Sequence, residues 1–185
     1  KRWLKMFKKD NYTMEIFNVF SKAECVDVLN QYNKNLKENV FYKDANIDCS
    51  KFKYIKKINN CIEVYKKEYP AINLTASKWR LDRLTFKAFL NGKNFAPWHS
   101  EHSMSYPHRM LALQIYLTNH NCGTEFFSKK IIKSEMGKVL LFPAYFTHTH
   151  RGQSCPEKKD RYIITGYWLF YEKGKKENVA HASST

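Results

Sequence analysis

Phe95-Ala96-Pro97-Trp98-His99-Ser100-Glu101-His102 is the stretch on which the reading of this chain turns. Side chains of a β-strand alternate between its two faces. If this segment is extended, His99 and Glu101 point the same way and offer an imidazole and a carboxylate to one metal ion. A third ligand must come from elsewhere, and Phe146-Thr-His148-Thr-His150-Arg-Gly152 offers two histidines. Two His and one carboxylate on one side of a metal leave positions open for a cosubstrate and O₂, the pattern of non-haem Fe(II) oxygenases. Arg161 follows eleven residues after His150 and opens the run Tyr162-Ile-Ile-Thr-Gly-Tyr-Trp-Leu-Phe170. A guanidinium there can take a carboxylate bidentately, with the Thr165 hydroxyl adding a donor. Each piece alone is common. Their order on β-type segments is not.

The surrounding sequence agrees. From Lys78 onward, Leu84, Phe86, Ala88 and Leu90 alternate with Thr85, Lys87 and Phe89, which predicts a strand with one mixed face. Asn91-Gly92 reads as a turn. Further strands are predicted over Met110 to Leu117, Thr124 to Phe127, Lys138 to Phe142 and Tyr162 to Tyr171. Short strands at this spacing predict a sandwich or barrel. Before Lys78 the pattern is different. A short strand is predicted over Met14 to Phe20. Ser21 with Glu24 then forms a capping box that opens a helix to about Asn33. A second helix is predicted over Asn59 to Tyr69, stopped by Pro70. Lys43 to Ser50 reads as a polar loop. The organisation is one domain: a helical support region over 1–77, a β catalytic core over 78–172 and a polar tail over 173–185.

Composition bounds the rest. The 185 residues are 43% hydrophobic and 16% aromatic, enough for a packed core and too apolar for a disordered chain. The formal charge of +15 admits a polyanionic partner such as nucleic acid, with the densest basic stretch at Lys1 to Lys9. No helix-turn-helix or RNP motif accompanies it. Five cysteines at wide, irregular spacings, with no CxxC pair, predict neither a disulfide framework nor a zinc knuckle. With no secretory or membrane-spanning segment visible, a reducing, cytoplasmic compartment is expected for what reads as a processed or partial chain.

These motifs together resemble the prolyl 4-hydroxylase-like branch of the 2-oxoglutarate/Fe(II)-dependent oxygenases, in its small bacterial and phage form. The resemblance runs from about Leu81 to Tyr171. It rests on Trp98-His-Ser-Glu101, Ile115-Tyr-Leu-Thr-Asn119, Gly123-Thr-Glu-Phe126, Leu141-Phe-Pro-Ala144, Thr147-His-Thr-His-Arg-Gly152 and the Tyr162 to Phe170 strand. It implies a mainly β fold with flanking helices, in which a double-stranded β-helix (jelly roll, cupin-like) core carries N-terminal helices. It implies Fe(II), 2-oxoglutarate and O₂, with ascorbate as a supporting reductant, and hydroxylation of a C–H bond with succinate and CO₂ as co-products. A peptidyl proline in a peptide or protein is the implied substrate.

Residue by residue, the resemblance makes His99, Glu101 and His150 the iron ligands and Arg161 the cosubstrate anchor, with Thr165 and Tyr116 beside it. His150 is preferred to His148 because the distal histidine of the family precedes a small-residue turn. Three features depart from the pattern: Glu101 replaces the usual Asp, Arg161 replaces a frequent Lys, and the spacing from His150 to Arg161 is one residue longer, around Glu157 to Asp160. Phe89 stands where a Tyr is common. Two other readings compete. A nucleic-acid-directed oxygenase of the AlkB type has a second Arg six residues after the anchor, where this chain has Tyr167. A zinc or other metal protein without oxygenase activity lacks a clear general base here.

Overall fold

The computed structural model describes residues 6–171. Part of the basic Lys1 to Lys9 stretch and the 173–185 tail lie outside the described residues. In chain order the elements are β1 (Phe7–Asp10), β2 (Thr13–Ile16), α1 (Lys22–Tyr32), β3 (Lys37–Glu38), β4 (Lys43–Ile47), α2 (Ile55–Glu68), β5 (Lys78–Phe89), β6 (Arg109–Tyr116), β7 (Gly123–Phe126), β8 (Ile131–Lys133), β9 (Val139–Pro143), β10 (His150–Gly152) and β11 (Arg161–Tyr171).

Two antiparallel sheets form. The larger has strand order β1-β2-β9-β6-β11-β5-β4-β3, and the smaller has β10-β7-β8. Phe126 and Ile132 of the smaller sheet pack in one cluster with Phe89, Tyr116, Leu140, Phe142 and Ile163 of the larger. The two sheets therefore enclose one interior, the jelly-roll arrangement. The other face of the larger sheet presents Leu84, Phe86, Leu113, Ile115, Val139, Leu141 and Ile164. These pack with Cys25 and Val28 of α1 and Ile58, Cys61 and Ile62 of α2. Period-two alternation on each strand thus separates a helix-backed face from an interior face.

The capping box forms as the sequence predicts. The Glu24 amide donates to Ser21 Oγ at 3.2 Å, and the Ser21 amide donates to Glu24 Oε2 at 2.7 Å. The second helix starts earlier than the pattern suggests, at Ile55. Its apolar spacing of Ile58, Cys61, Ile62 and Tyr65 defines the buried side.

Lys43 to Ser50 is not simply a loop. Its first five residues form β4 and pair with β5 from Lys43↔Ala88 to Ile47↔Leu84. A ladder is made by the main chain, so a polar strand near a sheet edge leaves little hydropathy signal. Strands β1, β3, β8 and β10 are missed because they are only two to four residues long, too short for an alternation to show.

The expectation about cysteines is also overturned. Cys122 and Cys155 are joined by a disulfide, 33 residues apart in sequence with Cα atoms 5.0 Å apart. A single bridge between strand ends needs no regular cysteine spacing. Cys25, Cys49 and Cys61 remain free thiols. Among the described residues no helix is long and apolar enough to cross a membrane.

Candidate metal centre

His99 and Glu101 are not on a regular strand, contrary to the sequence reading. Between Asn91-Gly92 and β6 the chain is largely irregular, and His99 takes part only in an isolated bridge to His150. The turn before it requires positive φ at Asn91 (54°) and Gly92 (76°). An added Cβ on Gly92 would lie 2.9 Å from Lys158 Cα, so the close approach needs glycine as well.

The bridge fixes the pair. The His99 amide donates to the His150 carbonyl at 3.0 Å, and the His150 amide returns the bond at 2.9 Å. The imidazole centroids are 4.3 Å apart. The same-face argument fails locally, yet the side chains converge because His99 is stitched to β10.

Each imidazole is oriented by a carbonyl. His99 Nδ1 is 3.0 Å from Pro97 O, and His150 Nδ1 is 2.9 Å from His148 O. A carbonyl only accepts, so each Nδ1 carries the hydrogen and each Nε2 turns a lone pair toward the centre. Glu101 Oε1 lies 3.8 Å from His99 Nε2 and 3.5 Å from His150 Nε2. The three ligand atoms fall within 4.8 Å of one another. Burial alone would raise the Glu101 carboxyl. Hydrogen bonds from the His150 and His99 imidazoles, in the form that carries a proton on Nε2, together with the nearby Lys87 ammonium, outweigh it and hold the group well below the usual carboxylate range.

His148 does not join this centre. It is buried on another wall, with Nε2 donating to Asn11 O at 2.7 Å and Nδ1 accepting from Thr147 Oγ1 at 2.9 Å. His102 sits behind Glu101, with Nδ1 3.3 Å from Arg109 O. His108 is exposed.

Sequence reading missed Arg109. Its Nη1 donates to Glu101 Oε2 at 3.1 Å, which leaves Oε1 for the histidines. The guanidinium is sandwiched 3.7 Å from the centroids of both the Tyr106 and Tyr167 rings. No motif announces an arginine eight residues after the carboxylate. Lys87 was legible only as part of a mixed strand face. Its ammonium stands 4.6 Å from the centroid of the Tyr42 ring, and burial lowers its pKa against the pull of Glu101.

The second part of the site is the interior face of β11. Arg161, Ile163, Thr165 and Tyr167 share that face by alternation. Arg161 is 2% exposed. Its Nη1 donates to Gly123 O at 3.0 Å and lies 3.7 Å from Cys122 Sγ, while the Phe89 ring centroid is 4.8 Å from its guanidinium carbon. Gly152, two residues after His150, lets it fit: an added Cβ would stand 3.2 Å from Arg161 Nη2 and from the Phe95 amide nitrogen. This contact ties the guanidinium to the strand that carries His150.

Arg161 Nε and Thr165 Oγ1 are both buried without a hydrogen-bond partner. Buried polar atoms are rarely left so. Burial pushes the Arg161 pKa down from its ordinary value, opposed by Tyr116. The Tyr116 hydroxyl pairs with Thr124 Oγ1 at 2.9 Å, and Thr124 donates to Gln114 Oε1 at 3.0 Å. Trp98 lies at the rim. It meets Phe127 edge-on at 5.3 Å and carries the Arg151 guanidinium 4.4 Å from its ring centroid.

No protein-family model and no curated protein matches this sequence. Solved structures do. The chain is similar to a viral collagen prolyl hydroxylase from Paramecium bursaria Chlorella virus-1, in its 2-oxoglutarate complex, with TM-score 0.70 and 17% identity over 88% of this chain and 97% of that one. It is also similar to a Trichoplax adhaerens prolyl hydroxylase in complex with a hypoxia-inducible-factor peptide, with TM-score 0.63 and 16% identity over 86% and 84%. HygX from Streptomyces hygroscopicus, with nickel and 2-oxoglutarate bound, aligns at TM-score 0.59 and 10% identity over 85% and 82%. At such identities the likeness establishes the fold alone, a jelly roll shared with these structures.

Proposed function

We propose that this chain is an Fe(II)- and 2-oxoglutarate-dependent dioxygenase of the prolyl 4-hydroxylase type. One observation carries the reading: a buried arginine and threonine with unpartnered polar atoms stand on the wall next to a two-histidine, one-carboxylate cluster. The donor set suits ferrous iron. The orphaned Arg161 Nε and Thr165 Oγ1 suit a carboxylate that reaches past the metal.

In this reading His99, Glu101 and His150 hold the iron, with Nε2 of each imidazole directed by its carbonyl-bound Nδ1. Arg161 takes the distal carboxylate of 2-oxoglutarate, and Thr165 donates its hydroxyl to the same group. Tyr116 orders that end of the chamber through Thr124 and Gln114. Arg109 restrains Glu101 so that a single carboxylate oxygen faces the centre, which accommodates the extra methylene of Glu. Bound there, iron with 2-oxoglutarate and O₂ supplies the oxidising power to hydroxylate a C–H bond, leaving succinate and CO₂. Ascorbate serves as a supporting reductant.

A peptide is the favoured substrate, with proline first. Exposed Trp98, Met104, Tyr106 and Phe127 follow or flank the ligand segment and offer an apolar surface to an extended chain. The peptide complex of the Trichoplax relative supports the same class.

The test is anaerobic addition of Fe(II) and 2-oxoglutarate. A visible metal-to-ligand charge-transfer band is expected, followed by succinate formation on admitting air. Absence of both refutes the assignment. A panel of proline-containing peptides run against single-stranded DNA and RNA then decides the substrate class.

A further inference from the structure

A second group of metal-binding side chains meets behind the arginine wall. A ring nitrogen of His120 and the Sγ atoms of Cys122 and Cys155 lie within 4.8 Å of one another. Cys122 immediately precedes β7 and Cys155 follows β10, so the smaller sheet itself brings them together. Two more polar atoms point to a ligand. His120 Nε2 is engaged with Thr118 Oγ1 at 3.1 Å, which leaves Nδ1 buried and unpartnered. Glu157 Oε1 accepts the Asn121 amide at 3.0 Å, which leaves Oε2 buried and unpartnered. Both side chains line a cavity of about 290 Å³ with Asn119, Lys133 and Ser134. Nothing in the proposed oxygenase chemistry uses this group.

We propose that His120, Cys122 and Cys155 form a redox-gated zinc site, closed while the two sulfurs are bonded and open when they are reduced, with Glu157 on the wall of the adjoining cavity. Two thiolates and an imidazole are a three-donor set that zinc takes with a water in the fourth position, and the thiolates exclude calcium and magnesium. A dithiol reductant opens the site. It passes two electrons to the Cys122–Cys155 bond, two protons complete the thiols, and the reductant becomes a disulfide. Zinc then displaces both thiol protons and forms two S–Zn bonds. His120 Nδ1 supplies a donor that is idle in the disulfide form, and Glu157 Oε2, also unpartnered, faces the same cavity and can accept from a zinc-bound water. The 33-residue separation between the cysteines explains why no sequence motif marks the site.

The position has a consequence for the neighbouring chamber. Arg161 Nη1 lies 3.7 Å from Cys122 Sγ and donates to the next residue's carbonyl, Gly123 O. Zinc binding changes the charge and position of that sulfur, and Arg161 must respond. This link to cosubstrate binding rests on the proposed function, but the zinc site does not.

Cobalt(II) is the probe, because a thiolate-to-cobalt band in the near ultraviolet cannot come from a centre of two histidines and one glutamate. The full chain reduced with a phosphine is expected to show the band, and the oxidised chain is expected to lack it. Zinc content after dialysis rises by one equivalent on reduction. Cys122→Ser and Cys155→Ser each abolish the band, and His120→Ala weakens cobalt binding by about tenfold or more. His150→Ala keeps the band, which separates this site from the candidate iron centre. Circular dichroism of the reduced sample reports whether it stays folded. If it unfolds, recovery of the folded signal on adding zinc supports the site. A folded, reduced chain with no thiolate band and no additional zinc overturns the proposal, as does an unfolded one that zinc fails to restore.

Discussion

The two faces of the larger sheet differ in what they leave unsatisfied. On β5, Leu84, Phe86 and Ala88 are fully buried against the helices, while Thr85, Lys87 and Phe89 face the interior. On β11, Ile164 and Trp168 take the helix side, and Arg161, Thr165 and Tyr167 take the other. The polar groups that reach the helix side are partnered: Lys57 Nζ donates to Glu24 at 2.8 Å, and the Tyr65 hydroxyl donates to Tyr12 O at 2.7 Å. The interior face keeps orphaned atoms at Arg161 and Thr165. Each orphan costs about 1–3 kcal/mol, which a face selected for stability alone would shed. One face holds the fold together. The other is held ready by it.

The sharpest break between the faces is at the centre itself. His150→Ala is expected to eliminate the charge-transfer band, while His148→Ala, whose imidazole is bound to Asn11 and Thr147, leaves it in place. Loss of the band in both variants would erase the distinction between the two histidines. Next in size is Phe86→Ala on the helix side, expected to destabilise by about 3–5 kcal/mol in denaturant melts while the folded fraction still forms the band. Arg161→Ala works the other way. It weakens 2-oxoglutarate by roughly 100-fold, about 3 kcal/mol, in a titration of the band, with iron affinity little changed.

Thr165→Val tests the orphan directly. It is expected to weaken 2-oxoglutarate about tenfold and to leave the melting temperature unchanged or higher, because a buried hydroxyl without a partner is removed. A clear drop in stability would show the hydroxyl to be structural. Smallest is Ser21→Ala, which removes a helix cap on the supporting side and costs about 1 kcal/mol without touching the band. Burial would raise the Glu24 carboxyl, but Lys57 and the Ser21 amide outweigh it and its pKa is lowered. That contribution is present above the unfolded carboxylate pKa and is lost as pH falls through the folded one, visible as a shift in acid-unfolding midpoint that Lys57→Met reduces.

The parts that the sequence announces are those where side-chain pattern and structure coincide. Strands β6, β9 and β11 alternate or run apolar and were legible to within one residue, and β5 was legible over its second half, where Leu84, Phe86 and Ala88 alternate with Thr85 and Lys87. Helix α1 was legible at its start because Ser21 and Glu24 are local signals. Strands β3 and β4 were not, because their pairing is written in main-chain bonds and a polar sequence. Of the candidate site, His99, Glu101 and Arg161 were nameable from order and spacing and His150 over His148 only from the family resemblance, and the structure brings His99, Glu101 and His150 into one cluster with Arg161 behind His150. Arg109 was not nameable, because its role depends on Tyr106 and Tyr167 closing on it from two segments. The cysteine pairing was misread, because an even, regular spacing is a property of disulfide frameworks and not of one bridge between strand ends.

The reciprocal amide bonds between His99 and His150 have a further consequence. These two residues sit where an irregular segment crosses the mouth of the barrel, the sort of place where backbone protons usually trade quickly with solvent. Here each amide is locked to the other residue's carbonyl, so neither can be released alone. Their deuterium uptake should therefore be slow, and it should occur in a single event for both. A cleft that opens for a large substrate must do so around this pair, with the flanking residues loosening first.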